Sequence, residues 1–259
     1  MSLLVDPMKF WLIAARLTGF FMISPGMNEI PIPRPAKTAF MIWMTLVLLP
    51  VIPSNPFGVP NGWDSLLLLS GEVFVGMAMG LVGRMIFATF QFGGSIIDSE
   101  VGLLAGQQLN PLSPIHGGVF GQILFIVGLI YFWTLDYFSV LILAIHESFR
   151  IVPLASAVHS LHNVEIIAKL GASLFAGGLM IAAPIMAVMF FLTIAVGLLS
   201  RAVQGINIFA EAFTMKILVG LGAILLFLPL LLLMVRDQLE RLIPFVTEML
   251  KHTLSVSRP

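Results

Sequence analysis

Not one of the 259 residues is a cysteine. That removes a disulfide framework, a thiolate metal site and a cysteine nucleophile. Charge is nearly as scarce: Asp, Glu, Lys and Arg make up 10% of the chain, where soluble domains carry about 25%. A water-facing surface cannot be built from so few charges, so most of this surface faces lipid or other protein. Neither sign dominates, with 13 cations against 13 anions. That balance argues against nucleic acid and against a basic helix lying on a membrane surface. No polar stretch is long enough to form a second soluble domain. No cleavable leader is expected: Lys9 is the only cation before the first apolar run, and Arg16 interrupts that run.

Hydrophobic residues fill 59% of the chain, and its mean hydropathy is +1.05. They fall into about six runs, at residues 10–23, 38–52, 65–97, 119–145, 170–199 and 217–235. None alternates as an outer-membrane barrel strand does. In hydrocarbon each backbone donor and acceptor must be met internally, so the runs predict helices and an all-α, membrane-type fold. Residues 38–52 are short for a span, which needs about 20 residues. Prolines break the links: Pro31, Pro33 and Pro35 before this run, then Pro50, Pro53, Pro56 and Pro60 after it. Pro184 and Pro229 interrupt the last two runs. Residues 200–216 read as a polar hinge, and an amphipathic tail begins at Arg236. The cations of that tail favour the cytoplasm by the positive-inside rule.

Chemistry-bearing residues inside the apolar runs are few. Glu72 is followed by Gly76 and Gly80, four and eight positions on, near one helix face. Small residues at that spacing let helices approach closely, which would bury the carboxylate against a neighbour. A buried carboxylate must pair or be protonated. It is either a proton or ion site or a hydrogen bond between helices. Arg84 lies twelve positions on, about 120° around the helix, so it is a poor partner for Glu72. Arg84 and Asp136 need partners on another element or another chain. His159 and His162 read as a solvated loop pair and not as metal ligands.

No catalytic set is present. Ser113 has a nearby His116, but no orienting acid or oxyanion donors follow in a recognisable order. There is no phosphate loop, and neither a cofactor nor a metal is expected. The segment 98–118, DSEVGLLAGQQLNPLSPIHGG, is the most informative. Gly102, Gly106, Gly117 and Gly118, with Gly121 beyond, allow tight bends. Gln107, Gln108 and Asn110 supply neutral donors and acceptors beside Pro111 and Leu112. Such backbone between apolar helices is tolerated where it is packed in protein or lines a wet cavity, so the segment is either a re-entrant or plug-like element at a pore or an ordinary solvent-exposed link.

An ordered set of residues brings a family into view. It begins with Arg16, Gly19 and Pro25 and the proline link to Lys37. It continues with Glu72-x-x-x-Gly76-x-x-x-Gly80, Gly94, Asp98, Gly102 and Asn110-Pro111. Then come Ser148-Phe149, Pro153, Pro184, the run Gly197-Leu198-Leu199-Ser200-Arg201, Asn207-Ile208-Phe209, Phe213 and Gly220. Nearly the whole chain thus resembles the FliR family of flagellar type III export-gate proteins and their injectisome relatives. It departs at Tyr137-Phe138, at Gln204-Gly205 and at Glu211, where the family has other residues.

The resemblance implies a structural channel subunit and no enzyme. It implies an inner-membrane and basal-body location, with partners FliP, FliQ, FlhB and FlhA, the basal-body ring and unfolded flagellar substrates. Residues 1–200 would form a FliP-like portion and residues 201–259 a FliQ-like hairpin. Residues 101–118 would form the channel plug, with Gly102, Gly106, Gln107, Gln108, Asn110, Pro111, Leu112, Gly117 and Gly118. Glu72, Arg84, Asp98 and Asp136 would be buried charges at contacts between chains, and Gly76 and Gly80 helix-packing glycines. The apolar hairpins would pack as wedges into a complex raised towards the periplasm. A small-molecule transporter is the competing class, but it should bring its site within repeated halves, and no repeat is present.

Overall fold

A computed structural model describes residues 7–25, 33–53, 62–104, 118–155, 164–202, 208–241 and 244. Among these the chain is all-α, with seven helices and no strand. They are α1 (Pro7–Ile23), α2 (Arg34–Leu48), α3 (Trp63–Val101), α4 (Val119–Thr134), α5 (Tyr137–Ile151), α6 (Val164–Ala202) and α7 (Ile208–Glu240). Among the described residues three apolar stretches are long enough to cross a membrane: Trp63–Val101, Gly171–Arg201 and Glu211–Glu240. The broken pair α4 and α5 makes a fourth candidate.

Helix boundaries differ from the sequence reading where end chemistry decides them. α2 starts at Arg34, with Pro35 in its first turn, where a missing N–H leaves no bond unmade. The run 119–145 is two helices, parted at Leu135 and Asp136; Asp136 takes a left-handed φ of 55°. Residues 98–101 belong to α3 and not to the following loop. The expected hinge at 200–216 is mostly helix: α6 runs to Ala202 and α7 starts at Ile208. Pro184 and Pro229 lie inside helices that continue past them.

The chain divides into two compact units. The first comprises residues 1–85, 132–170 and 241–259. Its core comes from α1, α2, the first part of α3, and α5. On α1 the buried face holds Leu12, Ile13, Leu17 and Phe20, with Arg16 among them. On α5 it holds Tyr137, Leu141, Ile145, Ser148 and Phe149, a stripe at helical spacing. The second unit comprises residues 86–131 and 171–240. Phe87, Phe90, Ile97, Ile181 and Ile185 are fully or almost fully buried in it. Outside these cores α6 and α7 expose many large apolar side chains, including Phe191, Leu198, Leu225 and Leu226. That is the surface expected of a chain covered by lipid or other protein.

Candidate functional site

In the first unit, α1 and α3 meet backbone to backbone. A Cβ placed on Gly19 would collide with the Val73 carbonyl, and one on Gly76 with the Arg16 carbonyl. One on Gly80 would stand 2.7 Å from the Phe20 carbonyl oxygen. Only glycines allow this approach, and it brings Arg16 and Glu72 to the same crossing.

Both side chains are 0% exposed. Arg16 Nε donates to Glu72 Oε2 at 2.6 Å. Its Nη1 donates to the Ser148 carbonyl at 3.1 Å and to Ser148 Oγ at 3.3 Å. Its Nη2 donates to the Val152 carbonyl at 3.0 Å. The guanidinium also lies 4.2 Å from the centroid of the Phe149 ring. The other carboxylate oxygen, Glu72 Oε1, accepts the Ala155 N–H at 2.9 Å.

The geometry has a simple electrostatic logic. Ser148 lies in the last turn of α5, where its carbonyl also accepts the Val152 N–H, and Val152 is the C-cap, whose carbonyl has no helical partner; the dipole there is negative. An arginine placed there caps the helix. Its own buried charge is met by the carboxylate, and the carboxylate's spare oxygen holds the turn beyond. Burying either charge alone would cost several kcal/mol, on the order of 3–5 when one partner is removed.

In the second unit, Asp98 forms a separate site. Its side chain is buried at the last turns of α3. The carboxylate accepts the Phe120 N–H, at 3.1 Å on Oδ1 and 3.0 Å on Oδ2, and the Gly121 N–H at 3.2 Å. These are among the open donors at the start of α4. The Asp98 carbonyl meanwhile accepts the Leu103 N–H at 2.9 Å, and Gly102 N–H reaches the Ser99 carbonyl at 3.2 Å. With Gly102 at φ 88°, that pair of bonds is a Schellman cap on α3. A Cβ on Gly118 would collide with the Asp98 carboxylate, and one on Gly94 with Gly121. So Asp98 ties together the two ends of the segment between α3 and α4.

The other candidate residues are placed differently. Arg84 and Asp136 are exposed on the chain itself. Asp136 accepts Ser139 Oγ at 2.7 Å in the turn before α5. Gly106, Gln107, Gln108, Asn110, Pro111, Leu112 and Gly117 lie outside the described residues, as do His159 and His162. Among the described residues no group of three or more His, Asp or Glu is arranged to hold a metal. Sequence reasoning missed that Arg16 is the partner of Glu72. The available signal was that Arg16 is the lone charge of the first apolar run. A lone charge in such a run demands a partner somewhere.

Comparison with known proteins follows the same span. Residues 8–242 match the family described as bacterial export proteins, family 1. The flagellar biosynthetic protein FliR of Buchnera aphidicola (subspecies Acyrthosiphon pisum) is 26% identical over 94% of this chain and 93% of its own length. FliR of Escherichia coli K12 is 25% identical, over 86% of this chain and 84% of its own. FliR of Bacillus subtilis 168 is 23% identical, over 88% and 89%. The chain therefore belongs to the bacterial export proteins, family 1, the family of the flagellar biosynthetic proteins FliR.

Proposed function

We propose that this chain is a structural channel subunit of the flagellar type III export gate. In this reading it assembles with FliP and FliQ in the inner membrane at the flagellar basal body, beside FlhB and FlhA, and unfolded flagellar proteins pass through the assembly. Residues 1–200 act as a FliP-like portion and residues 201–259 as a FliQ-like one. The segment 101–118 acts as the channel plug. The observation that carries the reading is the family match across almost the whole chain, with relatives named for flagellar biosynthesis. Two features of the chain support it. Large apolar faces of α6 and α7 stay uncovered, which suits a subunit of a larger assembly. Asp98 also secures the base of the segment read as the plug.

Co-expression with FliP and FliQ, followed by detergent extraction and affinity purification, tests the assembly. A common complex is expected. Recovery of this chain only as a stable monomer would overturn the reading. Deleting residues 106–111 tests the plug: cells with an assembled gate should become permeable to small solutes, and an unchanged barrier would remove the plug assignment.

A further inference from the structure

A carboxylate inside an apolar helix of a transport protein invites a role in passing protons or ions. The geometry around Glu72 points elsewhere. Oε2 is held by Arg16 and Oε1 by the Ala155 N–H, so both oxygens are engaged. All three guanidinium nitrogens of Arg16 are engaged as well. The side chains are fully buried, so neither offers a free face to a passing ion.

What the pair does hold is specific. Arg16 and Glu72 sit on α1 and α3, whose contact is already made by Gly19, Gly76 and Gly80. The bonds that remain all run to one place: the Ser148 and Val152 carbonyls at the end of α5, and the Ala155 N–H just after it. Phe149, on the same turn, takes the face of the guanidinium. We infer that Arg16 and Glu72 form a positioning site that fixes where the chain leaves α5. The α1–α3 seam supplies the platform, and the ion pair is the clamp on it. This inference goes beyond the export-gate reading and does not depend on it.

The test uses pairs of spin labels, which the absence of cysteine makes site-specific. Trp11, Leu67 and Arg150 are exposed positions on α1, α3 and α5 of the same unit. One pair of labels, on Trp11→Cys and Leu67→Cys, reads α1 against α3. The other, on Trp11→Cys and Arg150→Cys, reads α1 against the end of α5. Distances are measured on the full chain in the complex with which it co-purifies, or in detergent if it purifies alone. Two variants are compared with the parent, Glu72→Gln and the milder Arg16→Lys. Lysine keeps the charge but loses the planar fork that reaches Ser148 and Val152 together.

Both variants should broaden the single narrow α1–α5 distance while leaving the α1–α3 distance narrow. Arg16→Lys is informative because it leaves the Glu72 carboxylate in place, so loss of a proton carrier cannot explain its effect. Broadening of both distances would mean general loss of packing and would overturn the assignment. So would two unchanged distances, because the pair would then hold nothing at the end of α5.

Discussion

The carboxylate of Asp98 holds the backbone N–H of Phe120 between its two oxygens, at 3.1 and 3.0 Å, across a gap of 22 residues. The residue that begins the last turn of α3 is therefore also the cap of α4. Caps of this kind act locally in most helices, from a residue next to the helix start. Here the cap comes from the preceding helix, and this fixes both ends of the intervening segment.

Replacing Asp98 with alanine removes the acceptor of the Phe120 and Gly121 N–H groups while leaving the Asp98 carbonyl in its Schellman bond. Stability should fall by about 1–2 kcal/mol, the range for loss of a helix cap. Hydrogen exchange should rise at Phe120 and Gly121 and stay unchanged at Gly102 and Leu103. Equal exchange at all four positions would show that the side chain is not the cap. Asp98→Asn, which keeps one acceptor oxygen, should fall between the two.

The glycines give a paired prediction. Gly76→Ala places a methyl group against the Arg16 carbonyl, and neither backbone can yield without parting α1 from α3. A loss of about 1–3 kcal/mol or more is expected, as for overpacked cores. Gly222, inside α7, has nothing within 4 Å of its added Cβ. Gly222→Ala should therefore stabilise the purified chain by roughly 0.5–1 kcal/mol through helix propensity alone. Thermal unfolding of the two variants side by side checks the contrast. If Gly222→Ala instead weakens a co-purified complex while stabilising the free chain, another subunit packs at that position.

These sites show how far a single sequence reaches. The apolar runs announced helices because backbone in hydrocarbon has few other choices, and that reading survives with shifted ends. Some ends follow local chemistry, as at Pro35 and Gly102, while the start of α4 is capped by a contact distant in sequence. The end of α3 has a local signal, the glycine at 102 that closes its Schellman cap, whereas nothing local says that Asp98 reaches the Phe120 N–H at the start of α4. The Gly76 and Gly80 spacing exposed a close-packed face but not what it meets. Glu72 was legible as a charge needing a partner. That the partner is Arg16, 56 residues away, depends on how α1 crosses α3, and spacing within one helix carries no such information. Arg84 and Asp136 look the same as Glu72 in sequence, yet both are exposed on the chain.

Charge-to-apolar replacement at the Arg16–Glu72 pair should behave unlike most such replacements. Substituting a buried ion pair with well-packed apolar residues is often neutral or stabilising. Here the pair also binds backbone groups: the Val152 carbonyl and the Ala155 N–H lose the side chains that bond them. Each buried group left without a partner costs about 1–3 kcal/mol. Arg16→Met with Glu72→Met should therefore remain destabilised by about 2–5 kcal/mol, against about 3–5 kcal/mol for Glu72→Gln alone. Denaturation of the three proteins in one detergent measures this. A double variant as stable as the parent would mean that the backbone bonds contribute little.

Ala155 supplies the last test, because its strain and its hydrogen bond can be separated. Its φ of 68° is left-handed, a conformation that a Cβ opposes by roughly 1–2 kcal/mol. Its N–H donates to Glu72 Oε1, and the prediction is that this bond holds it there. Glycine removes the Cβ penalty and keeps the N–H, at the expense of a more flexible unfolded chain. Those two effects oppose, so Ala155→Gly should leave stability unchanged or raise it by up to about 1 kcal/mol. Ala155→Val keeps the N–H but adds a branched side chain that tolerates positive φ poorly, and should lower stability by more than about 1 kcal/mol. Crossing each variant with Glu72→Met, which removes both acceptor oxygens, separates the causes. Once the carboxylate no longer holds the turn, the penalty of valine relative to glycine should shrink, because the residue is then free to leave the left-handed region. A penalty of the same size in both backgrounds would show that the turn is set by something other than Glu72.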